Sequence, residues 1–320
     1  MRSLFVMDPL EKIQIDGDST WMLMRESQRR GWPIAFCTPS QMGFEHDRPF
    51  ANVQSVTCLD ASPWFSVEPV ERTPLEAFDV IWMRKDPPFD MDYVFCTYLL
   101  DLVADKTCVL NEPSSLKLAN EKMFALFWPE LGPETIVSND IQHIRETVDR
   151  LGRAVIKPWD GNGGRGVLVT RKGDPNLGAM IELLTEEGRR SILVQEYLPE
   201  IEQGDKRIIL VDGDPVGWFL RVPTAGDHRG NIHVGARVKA CELTARDREI
   251  CAAIRPALKK GGMVFVGIDV IGDAMTEVNV TSPTGIQEAN RLMGTQIERA
   301  LIDVAERRAR EFPRGPSWKD

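Results

Sequence analysis

The segment that decides the fold is Val264-Phe-Val-Gly-Ile-Asp-Val-Ile-Gly-Asp-Ala-Met-Thr-Glu-Val-Asn-Val280. Two runs rich in β-branched residues flank residues 272–274, and this pattern predicts a β-hairpin. Residues two apart on a strand share one face, so Glu277 and Asn279 point the same way. Asp269 joins them on that face if the turn at residues 272–274 is a loop with an odd number of residues.

This polar face has two interpretations. Asp269, Glu277 and Asn279 would bring three oxygen donors together, which is what a hard cation such as Mg²⁺ prefers. A half-exposed hairpin that turns its polar face to water would show the same pattern. The hairpin sequence alone is compatible with both a cation site and a solvent-exposed hairpin.

The overall composition is that of an ordinary globular protein. The chain has 320 residues, with 42% hydrophobic and 27% charged residues, which is long enough for about two domains. Its net charge of −9 argues against a nucleic-acid surface. No apolar run approaches the roughly 20 residues of a membrane helix, and the apolar residues 4–7 are too few for a signal-peptide core. We therefore expect a cytoplasmic protein with neither nucleic-acid nor membrane partners.

The cysteines predict neither a zinc site nor a disulfide framework. They show no CxxC pairing and no histidine partner at zinc spacing, and most of them lie inside apolar runs. In such positions a free thiol behaves as a small hydrophobic side chain. The pattern is typical of a reducing compartment. The six residues are Cys37, Cys58, Cys96, Cys108, Cys241 and Cys251.

The first 120 residues alternate between predicted strands and helices. Strands are expected at residues 3–7, 34–37, 80–83 and 107–110, and helices at 19–31, at 92–103 and from Pro113. This alternation predicts a layered, mostly parallel α/β sheet. The turn after the first strand has no glycine fingerprint, which disfavours a nicotinamide-binding Rossmann site.

From about residue 123 the pattern changes. Helices are predicted at residues 141–151, 177–187 and 245–259 and from about Gln287, and domain boundaries near residues 127–133 and 188–191. Strands are predicted at residues 154–157, 167–171, 192–196, 206–211 and 216–222.

A glycine-rich loop, Gly161-Asn-Gly-Gly-Arg-Gly166, matches the pattern G-x-G-x-x-G. A dinucleotide fingerprint opens a helix, but here a strand follows at residues 167–171, so the loop is predicted to be a hairpin tip. It is either a flap that covers nucleotide phosphates or a mobile surface hairpin. Lys157 ends the incoming strand and is a better phosphate ligand than Lys122, whose helix position is typical of a solvated lysine.

Three basic residues are candidates for binding an anion. Arg84 and Lys85 follow the strand at residues 80–83, where they would clamp a carboxylate or form a charged turn. Arg207 lies in a predicted strand, where an inward guanidinium requires an anionic partner. The polar stretch at residues 223–237 contains histidines and glycines and would order over a bound substrate.

The order of these elements resembles the ATP-grasp superfamily, and more closely the bacterial (prokaryotic-type) glutathione synthetase family. The resemblance extends over nearly the whole chain. The matching strings are Val6-Met-Asp-Pro9, Met83-Arg-Lys-Asp-Pro-Pro-Phe-Asp90, Asn120-Glu-Lys122, Asp160-Gly-Asn-Gly-Gly164, Gly204-Asp-Lys-Arg207, His228-Arg-Gly-Asn231 and Thr276-Glu-Val-Asn-Val-Thr-Ser-Pro-Thr284.

This resemblance implies both a fold and a reaction. A layered N-terminal α/β domain (residues 1–122) would precede a small ATP-grasp lid subdomain (123–190) and a C-terminal catalytic subdomain (191–320). ATP would phosphorylate the C-terminal carboxylate of γ-glutamylcysteine to an acyl phosphate, and the amine of glycine would attack it to give glutathione, ADP and phosphate. The family also implies a homo-oligomer, namely a tetramer.

The resemblance assigns roles to individual residues. Lys122 and Lys157 would bind ATP phosphates beneath Gly161, Asn162, Gly163, Gly164, Arg165 and Gly166. The adenine pocket would consist of Glu196, Tyr197 and Leu198, with Asp205 near the ribose. Two Mg²⁺ ions, or Mn²⁺, would be ligated by Asp269, Glu277 and Asn279. Catalytic roles would fall to Arg207 and Arg229, and substrate contacts to Arg84, Lys85, Ser282, Pro283 and Thr284.

One position departs from the family pattern, because Gln287 stands where relatives commonly have arginine. Two alternatives remain. Another ATP-grasp carboxylate–amine ligase would use the same ATP machinery with a different acid and amine. A non-catalytic ATP-binding regulator would be expected to lack a metal ligand or a phosphate lysine, and neither is missing here.

Overall fold

The computed structural model describes residues 1–224 and 237–311 of the chain. Its first sheet contains β1 to β8, and α1, α2 and α3 accompany it. The helices are α1 (Ser19–Arg29), α2 (Met91–Asp101) and α3 (Pro113–Leu118). The strands are β1 (Ser3–Val6), β2 (Ile34–Cys37), β3 (Met42–Glu45), β4 (Arg48–Cys58), β5 (Phe65–Val67), β6 (Glu71–Pro74), β7 (Val80–Met83) and β8 (Cys108–Leu110).

The first sheet is parallel only in its central part. Strands β2, β1, β7 and β8 pair in parallel in that order. Strand β4 joins β2 in an antiparallel pair and itself pairs with β3, β5 and β6. The prediction of a mostly parallel sheet is therefore wrong for the part of the sheet formed by β3 to β6. Strand β4 alternates between buried and exposed residues, as expected for an antiparallel strand with one covered face.

The second sheet carries the glycine-rich loop and has its own hydrophobic core. Its order is β11-β10-β12-β9, and all pairs are antiparallel. Helices α5 and α6 cover it through a cluster that includes Ile144, Ile156 and Ile181. The elements are α4 (Glu121–Ala125), β9 (Thr135–Ser138), α5 (Ile141–Leu151), β10 (Arg153–Pro158), β11 (Leu168–Arg171), α6 (Leu177–Thr185) and β12 (Ile192–Glu196).

The third sheet is antiparallel and contains the hairpin predicted at residues 264–280. Its order is β15-β14-β13-β16-β17. The elements are β13 (Asp205–Val211), β14 (Asp214–Val222), β15 (Arg237–Lys239), α7 (Ala245–Lys260), β16 (Phe265–Ile271), β17 (Ala274–Asn279), α8 (Ile286–Met293) and α9 (Ile297–Glu311).

The first and third sheets are joined by shared hydrophobic clusters and by one buried amide. Ile81 of β7 and Val266 of β16 belong to the same cluster, as do Trp82 of β7 and Leu301 of α9. The Asn111 side chain, directly after β8, accepts hydrogen bonds from the backbone N–H groups of residues 264 and 265 and donates to the carbonyls of residues 265 and 280. These contacts tie the base of the β16–β17 hairpin to the first sheet.

The β16–β17 hairpin has a different turn from the one predicted. Ile271 pairs with Ala274, so the turn contains two residues, and the predicted odd loop is wrong. Asp269 nevertheless pairs with Glu277, because a register shift leaves Thr276 as an extra residue in β17. Such a bulge reverses the facing of every residue beyond it, so Asp269 and Glu277 are brought to one face.

Candidate active site

Two connected pockets lie where the three sheets meet. The inner pocket lies between the second and third sheets, and its walls include Lys157, Tyr197 and Glu277. The outer pocket extends toward the first sheet, and its walls include Asp18, Ser282 and Glu288. Both pockets share one set of residues, which marks their junction: Glu121, Asn162, Gly163, Arg165, Arg207, Arg221 and Asn279.

Two buried lysines face the inner pocket. The Lys157 ammonium donates to Gln195 Oε1 at 3.0 Å, and burial lowers the pKa of Lys157 to about 8. The Lys122 ammonium lies 3.3 Å from Glu277 Oε1 and also donates to the Gly161 carbonyl. Burial alone would lower the pKa of Lys122, but the nearby carboxylates of Glu277 and Glu121 raise it. Two cations in a buried pocket form a site for anionic oxygens.

Opposite the lysines, Asp269 is bound by two arginines. Arg207 forms a bidentate pair with it, with Nε at 2.6 Å and Nη2 at 3.1 Å from the two carboxylate oxygens. Arg221 Nη2 lies 3.0 Å from Asp269 Oδ2 and also pairs with Asp205. Burial would raise the pKa of Asp269, but the two guanidinium groups hold it well below its usual range. Asp269 is therefore a carboxylate at every physiological pH.

The donor set Asp269, Glu277 and Asn279 fits a divalent cation. Asp269 and Glu277 are cross-strand neighbours, and the Asn279 amide lies 3.2 Å from Asp269 Oδ2. Carboxylate and amide oxygens are hard donors of the kind that Mg²⁺ and Mn²⁺ take. Residues 1–224 and 237–311 contain no group of three or more His, Cys, Asp or Glu side chains that could hold a metal ion, and the donor set here has two carboxylates and one amide.

The glycine-rich loop lies over both pockets. Gly161, Asn162, Gly163, Gly164 and Arg165 line the inner pocket, whereas Gly166 lines neither pocket. At residue 161 a Cβ atom would lie 2.8 Å from Pro158 Cγ and 3.0 Å from the carbonyl of residue 165, so only glycine fits the close turn. The loop connects β10 and β11, as the sequence predicted.

An apolar slot forms the far end of the inner pocket. Glu196, Tyr197 and Leu198, which follow or end β12, line it together with Ile201 and Ile271. Asp205 at the start of β13 lines the same pocket, and burial raises its pKa to about 6. An apolar pocket wall of this kind is suited to a flat heteroaromatic ring.

Arg84 and Lys85, which were predicted to contact the substrate, are not among the residues that line the two pockets. Arg84 is buried, and its Nη2 donates to the Pro283 carbonyl at 2.8 Å, while Ser282 Oγ donates to the Arg84 carbonyl at 3.3 Å. Lys85 pairs with Asp8 at 3.2 Å. Arg84 therefore supports the 282–284 segment, whose residues Ser282, Pro283 and Thr284 do line the outer pocket. The predicted catalytic residue Arg229 lies outside the described residues.

Two residues that were not predicted from the sequence, Arg221 and Glu121, line both pockets. Arg221 lies at a buried position of the alternating strand β14, and this alternation is the signal that identifies it as inward-facing. Burial raises the pKa of Glu121, and its carboxylate accepts a hydrogen bond from Thr281 Oγ1 at 2.8 Å. A helix position next to Lys122 gives no local signal of this burial.

Gln287 does not face the pocket. Its Nε2 donates to the carbonyls of Ile15 at 2.7 Å and Asp18 at 3.0 Å, so it holds the loop before α1 against α8. All six cysteines are free, and among the described residues no helix is long and apolar enough to cross a membrane.

The sheet arrangement and the paired pockets define the ATP-grasp class. The D-cycloserine synthetase DcsG superposes with a TM-score of 0.65 at 13% identity, covering 95% of this chain and 99% of its own. The ATP-grasp ligase PsnB, in complex with a precursor peptide and AMPPNP, gives 0.61 at 15% identity and covers 97% and 98%. These similarities show the shared fold.

Sequence comparison narrows this class to one family. The family "Prokaryotic glutathione synthetase, N-terminal domain" matches residues 1–117, and "Prokaryotic glutathione synthetase, ATP-grasp domain" matches residues 121–294. Glutathione synthetases of Gloeobacter violaceus and Thermosynechococcus vestitus are 46% and 44% identical, over 95% and 93% of this chain and 96% and 97% of their own. The chain belongs to the prokaryotic glutathione synthetase family.

Proposed function

We propose that this protein is an ATP-dependent ligase that joins γ-glutamylcysteine and glycine into glutathione, with release of ADP and phosphate. One observation carries the proposal. A pocket with two buried lysines and a hard-oxygen donor set opens, through an arginine-lined junction, into a second pocket beside the first sheet. This geometry suits ATP in the inner pocket and the acid and amine in the outer pocket.

In this proposal the chain binds ATP along the inner pocket. Lys122 and Lys157 hold phosphate oxygens, and the loop residues 161–166 cover them with backbone N–H groups. The slot at Glu196, Tyr197 and Leu198 takes the adenine, and Asp205 lies near the ribose. All these groups position the reacting phosphate and exclude water.

At the junction, Arg207 and Arg221 steady the charge of the transferring phosphoryl group. The dipeptide carboxylate accepts that group to form an acyl phosphate, and the glycine amine then displaces phosphate from it. Divalent cations, when bound, would neutralise part of the phosphate charge. We assign them to Asp269, Glu277 and Asn279, and propose two Mg²⁺ ions that Mn²⁺ can replace. Arg229 would act with Arg207.

Arg84 enters this proposal as a positioning residue. It holds Pro283 through a buried hydrogen bond, and Thr284 in turn accepts a hydrogen bond from Arg207 at 3.2 Å. The segment at Ser282, Pro283 and Thr284 would lie beside the acceptor amine. Lys85 would act from outside the pocket, through its pair with Asp8.

We also propose a functional division into an N-terminal substrate domain (1–122), a lid and a catalytic subdomain. Strand β12 pairs with β10 and β9, so a lid boundary after Glu196 fits better than one after residue 190, which would divide the second sheet. A cytoplasmic location accords with the six free cysteines, five of which are buried. Four exposed apolar residues on and directly after α2, namely Met91, Phe95, Tyr98 and Leu102, support a homo-oligomer, which we propose is a tetramer.

A substrate panel tests the function. Purified protein is expected to release phosphate from ATP only when γ-glutamylcysteine, glycine and a divalent cation are all present, with glutathione formed in equal amount. Equal turnover with D-alanine in place of glycine, or glutamate in place of the dipeptide, would instead indicate another ATP-grasp ligase. Nucleotide binding without turnover on any pair would indicate a regulator.

A further inference from the structure

The proposed reaction uses the backbone of the glycine-rich loop but not its one charged side chain, Arg165. The other residues of the loop at 161–166 are glycines and the neutral Asn162. Arg165 lines both pockets, so it lies at their junction. In the proposed reaction the phosphoryl group passes through this junction from ATP to the acid. The guanidinium of Arg165 is therefore placed beside the group that moves.

Two contacts hold the start of the loop over the pockets. The Lys122 ammonium donates to the Gly161 carbonyl, and Arg190 forms an ion pair with Asp160, directly before the loop. Lys122 belongs to α4 and Arg190 follows α6, so the loop is held from two sides. The position of the loop is therefore set by the surrounding fold.

The conformation of the loop places Arg165 between two glycines. The Arg165 backbone N–H donates to the Asn162 carbonyl at 3.1 Å, which closes a turn. Gly164 and Gly166, on either side of Arg165, have φ angles of 77° and 71°. Side chains with a Cβ atom rarely adopt this left-handed conformation, so the two flanking positions favour glycine. The loop thus presents one long side chain, which is cationic, at the junction.

Arg165 differs in its partners from the other two arginines of the junction. Arg207 and Arg221 both form ion pairs with Asp269. Within the described ranges 1–224 and 237–311, by contrast, the Arg165 guanidinium takes part in no ion pair or hydrogen bond, and the residue is exposed. A guanidinium has five N–H donors in a plane and binds two phosphate oxygens at once. Arg165 keeps all these donors for a ligand.

The charges that line the inner pocket favour such a role. Its walls carry as many carboxylates as cations when Arg165 is included, so without Arg165 the charge of the walls would be net negative. During transfer the bond from phosphorus to the ADP oxygen breaks, and a bond from phosphorus to a carboxylate oxygen forms. The negative charge stays on the three equatorial oxygens of the phosphoryl group. A cation that contacts these oxygens stabilises the transition state.

We propose that Arg165 is a catalytic residue whose guanidinium donates to the equatorial oxygens of the phosphoryl group during its transfer from ATP to the dipeptide carboxylate. It acts from the loop, whereas Arg207 and Arg221 act from the third sheet. This inference rests on the proposed function and adds a side chain of the lid to it. ADP lacks the transferred group, so removal of the Arg165 side chain lowers kcat and leaves the affinity for ADP unchanged.

Arg165→Ala in the purified full-length protein tests this role. Its kcat for glutathione formation is expected to fall roughly 100-fold, as for the loss of a donor to transition-state charge. Titration calorimetry should give the wild-type Kd for ADP. Millimolar guanidinium chloride should restore part of the lost activity, because the free ion supplies the same donors. Arg165→Lys keeps the charge but not the planar group, so its kcat should lie between those of Arg165→Ala and the wild type.

The matched control is Arg171→Ala. Arg171 is an exposed arginine of β11 in the same sheet, and it is not among the residues that line the two pockets. This variant should keep the wild-type kcat and Kd for ADP. An unchanged kcat in Arg165→Ala, an equal loss of ADP affinity, or a loss of kcat that guanidinium does not restore would each overturn the inference. Absence of glutathione synthesis by the wild type would instead contradict the proposed function itself.

Discussion

At the scale of single residues, burial and neighbouring carboxylates set the pKa values of the two pocket lysines. Lys157 and Lys122 face the same pocket, but burial lowers the pKa of Lys157 to about 8, whereas the carboxylates of Glu277 and Glu121 raise that of Lys122. Lys157 is thus the group whose charge changes near physiological pH. Phosphate favours the ammonium form, so nucleotide binding raises this pKa and takes up a proton.

This difference predicts the pH dependence of nucleotide binding. Below pH 8 free Lys157 is already protonated and affinity does not depend on it. Above pH 8 free Lys157 is largely deprotonated, so ATP binding must take up a proton from solution. The affinity for ATP therefore falls as the pH rises, by up to about tenfold per pH unit. Titration calorimetry with ATP between pH 7 and 9.5 measures the slope. The Lys157→Arg variant keeps its charge over this range, so its ATP affinity should not depend on pH. An equal slope in both proteins would contradict the assignment of the pH dependence to Lys157.

At the scale of elements, one bulge in the β16–β17 hairpin brings the donor set of the proposed cation site together. Thr276 is the extra residue, and its hydroxyl donates to the Asp269 carbonyl at 3.2 Å. If Thr276 instead paired with Asp269 in regular register, the same two-residue turn would pair Glu277 with Ile268, on the other face. The donor set therefore depends on a register shift that lies three residues from the turn.

Glu277→Ala tests the role of this hairpin. The change removes one hard donor and leaves Lys122 without its partner at 3.3 Å. Turnover is expected to fall by roughly 100-fold or more, because the lost group acts on the charge of the transferring phosphate. Steady-state phosphate release across a Mg²⁺ titration measures the loss. Asp273→Ala, in the exposed turn of the same hairpin, is the control and should retain full activity; retained turnover in Glu277→Ala would remove the hairpin from the mechanism.

At the scale of the whole molecule, α2 presents an apolar face to solvent. Met91, Phe95, Tyr98 and Leu102 are 72%, 60%, 54% and 52% exposed. Their spacing of four, three and four residues is that of a coiled-coil seam, which pairs with another helix. The opposite face of α2 is buried in the first domain, so the helix is apolar on both sides. A second copy of this chain has the same apolar face on its own α2, so the two helices could pair across a two-fold axis. In such an antiparallel pair the two helix dipoles point in opposite directions, which is favourable.

This surface predicts the effect of a charge on assembly. Phe95→Glu should shift the protein to a smaller species, because two like charges would meet across a two-fold axis. Sedimentation velocity at several concentrations measures the change. The control is Leu183→Glu, which changes an exposed apolar residue of α6, the helix that covers the second sheet. This variant should assemble like the wild type. Unchanged assembly of the Phe95 variant would exclude this face as the contact.

Local sequence patterns were sufficient for most elements and for the family. Strands β2, β7 and β12 and helix α5 begin and end where the apolar runs and caps predicted. Propensity and capping act over a few neighbouring residues, so they can be read from the chain directly. The strings around Lys122, Lys157 and the β16–β17 hairpin likewise identified the ATP-grasp class and the prokaryotic glutathione synthetase family.

What only the tertiary structure decided is where side chains meet. Strands β3, β5 and β6 carry weak local signals and form by pairing with β4. Arg84 supports Pro283 instead of lining the pocket, Arg221 joins Asp269, and Arg165 lies at the junction of the two pockets. Such contacts link residues far apart in sequence, and packing and desolvation select them only when the sheets assemble. The chain by itself determined its elements, its family and its reactive residue types; tertiary packing determined which charges are paired and which remain free for a substrate.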